Sequence, residues 1–274
     1  MKEQLCNPGR PSISVIVTSY NYAPYVRQAI DSVLGQTYGE FQLVVVDDGS
    51  HDDSPSILNT YSDSRMRVIL QENSGQAAAW NRAYKHCTGK LIFFLDSDDW
   101  WIPTKLEKMV GMHDVSGTAY TVFQHNLTVL RDGLEYPYRR ILPSGDCFAD
   151  MKATGRISYF VTSSGLCFPR WVCEKIFPIP EELRISPDAY LTRTAFVYGS
   201  VLSVPDCLGY LRLHGQNAGM TQGQEFHDNL RREIIFPALN SFYRMHSIDY
   251  EYKNAQPSTM LSRAKSKLVK MIKR

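Results

Sequence analysis

Three apolar runs that stop abruptly in polar residues restrict this chain more than any other feature. Residues 13–18 and 43–46 are rich in β-branched side chains, residues 91–95 read Leu-Ile-Phe-Phe-Leu, and each run gives way at once to hydroxyls, amides or carboxylates. Parallel strands covered on both faces have this form: the run is continuous rather than alternating, and polar residues begin where the strand leaves the sheet. Between the first two runs lies an amphipathic helix, with Pro24 in its first turn, Tyr25, Ala29, Ile30, Val33 and Leu34 on one face and Gly35 at its end. A second helix is predicted after Ser50 or Asp53, a short strand over 67–70 and a third helix over 76–86. This alternation predicts an α/β sheet with helices on both faces, joined by right-handed crossovers. Ligands of such sheets sit beyond the carboxyl ends of the strands. Thr18-Ser19-Tyr20-Asn21, Asp47-Asp48-Gly49-Ser50 and Asp96-Ser97-Asp98-Asp99 all fall there, so three clusters distant in sequence are expected to meet in one crevice.

Beyond Asp99 the pattern is looser. Residues 103–112 read as a helix, 118–123 and 127–130 as strands, and Arg131-Asp132-Gly133 as a turn. Residues 155–168 read as a strand interrupted at 163–165, 188–198 as a helix, 201–204 and 208–213 as strands, and 225–245 as one long helix. No linker clearly divides the 274 residues. A net charge of +2 gives no global electrostatic case for nucleic acid. Six scattered cysteines without a Cys-x-x-Cys pair disfavour structural zinc and fit reduced thiols in a cytoplasmic protein. Residues 1–12 are polar, so no signal peptide is expected, and no run approaches the roughly 18 apolar residues of a spanning helix.

Asp96, Asp98 and Asp99 carry the strongest chemical signal. Crowded carboxylates repel one another and invite a hard divalent cation, which takes oxygen ligands and bridges to phosphate. A helix N-cap would use one carboxylate, not three. Asp47 and Asp48 suit hydrogen bonds from a base or ribose, with Gly49 allowing close backbone approach, or else a helix-entry loop. Asn73-Ser74-Gly75 fits a turn or a ligand contact equally. After the first strand there is no Gly-x-Gly-x-x-Gly and nowhere a Gly-x-x-x-x-Gly-Lys loop, which sets aside dehydrogenase and P-loop nucleotidase readings.

Five segments together resemble glycosyltransferase family 2: Val15-Ile16-Val17-Thr18-Ser19-Tyr20-Asn21, the stretch from Ser32 to Tyr38, Val45-Val46-Asp47-Asp48-Gly49-Ser50, the stretch from Asn73 to Asn81, and Phe94-Leu95-Asp96-Ser97-Asp98-Asp99. The resemblance covers about the first 110 residues. It implies a GT-A-like fold, a Rossmann-related mixed and mainly parallel sheet flanked by helices. It also implies a nucleotide-sugar donor, UDP-linked by family frequency, inversion at the anomeric carbon, and Mg or Mn. Carried over by motif, Asp96 lies near the ribose, Asp98 on the metal, and Asp99 supports them. Thr18 and Tyr20 match the first donor-binding segment, Asp48 with Asp47 the part that holds the base, and Asn73, Gly75 and Asn81 the turn and helix that follow; Arg82 beside them is unassigned.

An inverting transfer needs a general base to take the acceptor proton. Ser186-Pro187-Asp188 resembles the family's Glu-Asp segment with Pro187 in the Glu position, which makes Asp188 the candidate base, or else a helix cap. Tyr210-Leu211-Arg212-Leu213-His214 and Gly215-Gln216-Asn217 resemble the family's closing segment, with Arg212 toward the diphosphate and His214 toward diphosphate or metal. Trp100 and Trp101 are placed to stack on a sugar or to fill the core. The domain expectation is a GT-A unit over residues 1–220, with a donor half over about 10–112 and an acceptor half over about 113–220, and a helical extension over 221–274. The tail after Pro257 alternates Lys and Arg with Leu, Val, Met and Ile, which suits peripheral contact with an anionic inner membrane face bearing a lipid-linked acceptor. A carbohydrate acceptor in surface polysaccharide or glycan assembly is the other expectation. Two alternatives stand beside this reading: a non-catalytic nucleotide-sugar-binding protein, and a sugar-phosphate nucleotidyltransferase.

Overall fold

The computed structural model describes residues 12–138, 141–154, 160–217 and 222–252. The basic tail lies outside these residues. Strands β1 (Ile13–Ser19), β2 (Phe41–Asp47), β3 (Met66–Leu70) and β4 (Leu91–Asp96) form a parallel array in the order β3-β2-β1-β4. They are linked by helices α1 (Ala23–Leu34), α2 (Ser54–Leu58) and α3 (Gln76–Tyr84). Side chains alternate across each strand, so Val15, Val17, Leu43, Val45, Phe93 and Leu95 pack toward α1, whereas Ile16, Val44, Val46, Ile92 and Phe94 pack toward α3. Both faces are therefore dry, as the continuous apolar runs require.

The sheet continues through β8 (Leu166–Pro169), antiparallel to β4, to the long strands β6 (Tyr120–Arg131) and β9 (Ser200–Leu213), which pair in parallel. Two short strands complete it: β5 (Trp100–Trp101) antiparallel to β9, and β7 (Leu134–Tyr138), which returns along β6 after the turn at Asp132 and Gly133. The result is a mixed, mainly parallel sheet flanked by helices.

Several elements depart from their sequence expectation. The two strands expected over 118–130 are one, and so are the two over 201–213. In each case a register shift lets the strand run through: His125 faces Val204 but Asn126 faces Cys207, so Pro205 and Asp206 bulge out, and the Asn126 amide donates to the Pro205 carbonyl at 3.1 Å. The helix expected over 225–245 is α8 (Gln224–Leu230) and α9 (Phe236–Met245), joined by a π-type turn at Arg231–Ile235. Pro237 lacks the N–H that an unbroken α pattern would use there. The interruption at 163–165 is a 3-10 turn that precedes β8, while residues 155–159 lie outside the described set.

Helices α4 (Lys105–Ser116), α5 (Cys147–Thr154), α6 (Arg170–Ile176) and α7 (Asp188–Ala195) cover the remaining faces. The periodicity did not predict α5 or α6, each about two turns long. Leu239, Phe242 and Tyr243 of α9 are buried in the same core as Tyr190 and Phe196, and the Tyr243 hydroxyl donates to the Arg193 carbonyl at 2.8 Å. Helix α9 thus packs into the main body.

Candidate active site

Parallel register alone lines up the first part of the site. Thr18 pairs with Asp96 on one side and Val46 on the other, and Ser19 pairs with Asp47. Thr18 is buried and Tyr20 is 42% exposed at the rim. Asn21 binds the next strand's loop: its side-chain oxygen accepts the His51 N–H, and its own N–H donates to the Ser50 hydroxyl, each at 2.8 Å.

Asp47 and Asp48 are turned inward. The Asp47 carboxylate accepts the Ser50 N–H at 2.9 Å and the Ser50 hydroxyl at 2.6 Å. That of Asp48 accepts from the Gln71 side chain at 2.7 Å, the Ser74 N–H at 2.9 Å, the Gly75 N–H at 2.8 Å and the Asn73 amide at 3.3 Å. A carboxylate has about four acceptor positions, so Asp48 is saturated. Within the fold both acids act as posts on which the loops beside the crevice are folded. Gly75, at φ +94°, packs on Arg184, whose Cβ and Cγ would lie 2.8 Å from any Cβ added there. Asn73 and Gly75 are thereby held at the mouth. Asn81 is not. Its carboxamide donates to the Ile179 carbonyl and accepts the Ile179 N–H, both at 2.8 Å, which clamps the segment leading to Arg184.

The acid cluster is held by residues from across the sheet. The Asp96 carboxylate accepts from the Ser163 hydroxyl at 2.5 Å and the Gln76 amide at 2.8 Å, while its N–H donates to the Ser164 hydroxyl at 3.1 Å. That hydroxyl donates in turn to Asp99 at 2.6 Å, and Asp99 also accepts the Arg212 N–H at 2.9 Å. Behind them the fully buried Lys105 ammonium donates to the Ser164 carbonyl at 2.7 Å and lies 3.4 Å from the Trp101 ring centroid. Burial pushes the Lys105 pKa well below the usual lysine range, against the pull of Asp99. Burial, then the Asp98 charge, then that of Asp188 raise Asp96 to about 7, opposed by the Ser163 and Gln76 hydrogen bonds. The same burial and neighbouring acids push Asp99 well up. Asp188, at the first turn of α7, thus lies close enough for its charge to act on Asp96.

The third part comes from the end of β9. The His214 Nε2 is 3.0 Å from the Asp98 Oδ2, which also accepts from the Asn217 amide at 3.0 Å. Asn217 further donates to the Arg212 carbonyl at 2.8 Å and accepts the His214 N–H at 2.6 Å. The His214 ring rests 4.7 Å from that of Tyr25, with Tyr22 edge-on at 5.5 Å. Arg212 is drawn into this wall: its guanidinium lies over the Tyr25 and Trp100 rings at 4.8 and 4.6 Å and donates to the Asp98 carbonyl and to Gln28. These contacts brace the wall of the site. Trp100 is committed to Tyr210, stacked at 4.5 Å, and Trp101 is buried, so neither indole offers a sugar platform.

Among the described residues no group of three or more His, Cys, Asp or Glu side chains is placed to hold a metal alone. The Asp98 and His214 pair nevertheless fits a share of one: two ligands at about 2.1 Å from an ion and at right angles stand about 3.0 Å apart, the separation seen here. Such a site is completed by substrate phosphates and water. Gln76, Ser163, Ser164, Tyr25, Asn217 and Arg184 had no site role in the sequence reading, for a hydroxyl or amide that positions an acid through space leaves no local pattern; the Ser163-Ser164-Gly165 interruption and the Gly215-Gln216-Asn217 segment were the visible marks.

The fold and this mouth of acids beyond parallel strand ends define a GT-A glycosyltransferase. The fold matches S. aureus TarS, solved in complex with UDP-GlcNAc, with a TM-score of 0.64 and 20% identity over 86% of this chain and 72% of that one. The chain belongs to glycosyl transferase family 2, whose family model matches residues 14–177. It is 33% identical over 244 residues to an uncharacterized glycosyltransferase of Nostoc sp., spanning 84% of this chain and 75% of that protein. Over 101 residues it is 43% identical to WfgD of Escherichia coli, a UDP-Glc:alpha-D-GlcNAc-diphosphoundecaprenol beta-1,3-glucosyltransferase, spanning 36% of this chain and 40% of that protein.

Proposed function

We propose that this glycosyltransferase moves a sugar from a nucleoside-diphosphate sugar, UDP-linked, to an acceptor hydroxyl with inversion. The observation that carries the reading is the convergence of Asp96, Asp98 and His214 with Asp188, residues from three separate parts of the chain, at the carboxyl ends of β1, β2 and β4. Asp98 and His214 would hold Mg or Mn. When bound, the ion supplies positive charge where the departing diphosphate gains negative charge. Thr18 and Tyr20 line the nucleoside side, with the loops folded on Asp47 and Asp48 around it, and Asp96 faces the ribose. Asp188 accepts the acceptor's hydroxyl proton as that oxygen forms its bond to the anomeric carbon and the bond to the diphosphate breaks.

A lipid-linked or carbohydrate acceptor in surface glycan assembly is supported by the substrate named for WfgD. The donor half over residues 10–112 and the acceptor half beyond it, cytoplasmic location and peripheral contact through the basic tail belong to the same proposal. Among the described residues no helix is long and apolar enough to cross a membrane. Thermal shift with a panel of UDP- and GDP-sugars, with and without Mn, tests donor and metal together, since a ligand that selects the native state raises its melting temperature. Slow donor hydrolysis in the presence of Mn separates the enzyme from a non-catalytic binder. No shift with any donor, and no hydrolysis, would overturn the reading.

A further inference from the structure

Of the cations near the crevice, two are committed elsewhere: Lys105 is sealed behind Ser164, and Arg212 is braced between Tyr25, Trp100, Gln28 and the Asp98 carbonyl. Arg184 differs. Its side chain is exposed at the mouth, and its guanidinium donates to a neutral acceptor, the Asn73 side-chain oxygen, at 2.5 Å. Among the described residues it forms no ion pair. Its position is nonetheless built. The Arg184 carbonyl accepts the Gln76 N–H at 3.1 Å, and its stem lies where any side chain at position 75 would have to go. The loop it rests on is pinned to Asp48, and Gln76 at the far end of that loop holds Asp96. An exposed arginine fixed by its main chain, without an ion pair among the described residues and seated on the loop that is pinned to Asp48, suits an incoming anion. Guanidinium groups bind phosphate by charge-assisted, often bidentate, hydrogen bonds.

The geometry points to Arg184 as a donor-binding residue that leaves Asn73 to meet the diphosphate of the nucleotide, supplying from the loop at 73–76 a positive charge separate from the Asp98 and His214 pair. This inference rests on the nucleotide-sugar reading above, and its test is arranged so that the two fail separately. UDP with Mn is titrated calorimetrically into the wild-type chain and into Arg184→Gln and Arg184→Lys, at low and high NaCl. Wild-type protein that binds neither UDP nor GDP would sink the nucleotide reading itself. If the wild type binds, Arg184→Gln is expected to weaken UDP about tenfold and to reduce the salt dependence of binding, because one charge contact has gone. Arg184→Lys is expected to recover part of the affinity, and the melting temperature of the ligand-free variants to stay close to wild type. Unchanged UDP affinity in Arg184→Gln would overturn the inference. So would a loss that Arg184→Lys does not recover and that accompanies a lower melting temperature, for Arg184 would then be scaffolding for the loop.

Discussion

The two ends of the sheet build their shares of the site differently. In the β3-β2-β1-β4 array, Thr18, Asp47 and Asp96 stand side by side because parallel strands of matched length end together. Backbone register does the placing, and the residues are neighbours by topology. In the remainder, Ser163, Ser164, His214 and Asn217 lie on turns and strand ends, where individual side-chain bonds to the acid cluster place them, and Asp188 begins α7. A substitution in the first region changes a group on a rigid ledge. One in the second releases a segment as well as a group.

The sharpest way to break this comparison is Asp188→Asn. Because Asp188 is proposed to act in the chemical step alone, transfer should fall by about 10²–10⁴ while UDP binding with Mn stays near wild type; normal turnover would remove Asp188 from the mechanism. Asp98→Asn and Asn217→Ala compare a ledge residue with the amide that holds it. Removing an outer partner of a metal ligand costs about 10–100-fold in metal affinity, so Asn217→Ala should lie in that range in a Mn titration and Asp98→Asn beyond it. Equal effects would mean that Asn217 is a ligand in its own right.

Ser164→Ala should show the looser construction of the second region as lost stability. It strips the hydroxyl from buried Asp99 and from the Asp96 N–H, for which about 1–3 kcal/mol is expected in a denaturant melt. The smallest effect concerns pH. The pKa of Asp96 is raised from 3.8 to about 7 by burial and by Asp98 and Asp188, so the folded chain holds this proton more tightly than the unfolded one. Its contribution favours the fold below about pH 4 and is lost as pH rises toward 7. In ligand-free protein Asp96→Asn should flatten the decline in melting temperature across that window, and an unchanged slope would show that Asp96 does not titrate there.

Much of the first region was legible before any coordinates. Its seven elements follow from apolar runs and caps, because a strand buried on both faces and an amphipathic helix each leave a local period in the sequence. The second region was read less well for stated reasons. Bulges at His125 and Asn126 let one strand resemble two, Pro237 sits where a helix widens instead of ending, and α5 and α6 are too short to show a clear period. At the site, residue type identified the acids but not their direction. The sequence does not show that the loop at 71–75 fills Asp48 or that Arg212 packs between aromatic rings.

The sequence by itself determined that parallel strands would end in acids and that those acids would share one edge, since burial patterning and strand polarity are local properties. Only the tertiary structure decided which acids are already satisfied, which cations are spent on bracing, and that Arg184 seats on the loop at 73–76. Hydrogen-bond saturation and charge pairing depend on partners brought together by folding, and no spacing along the chain records them.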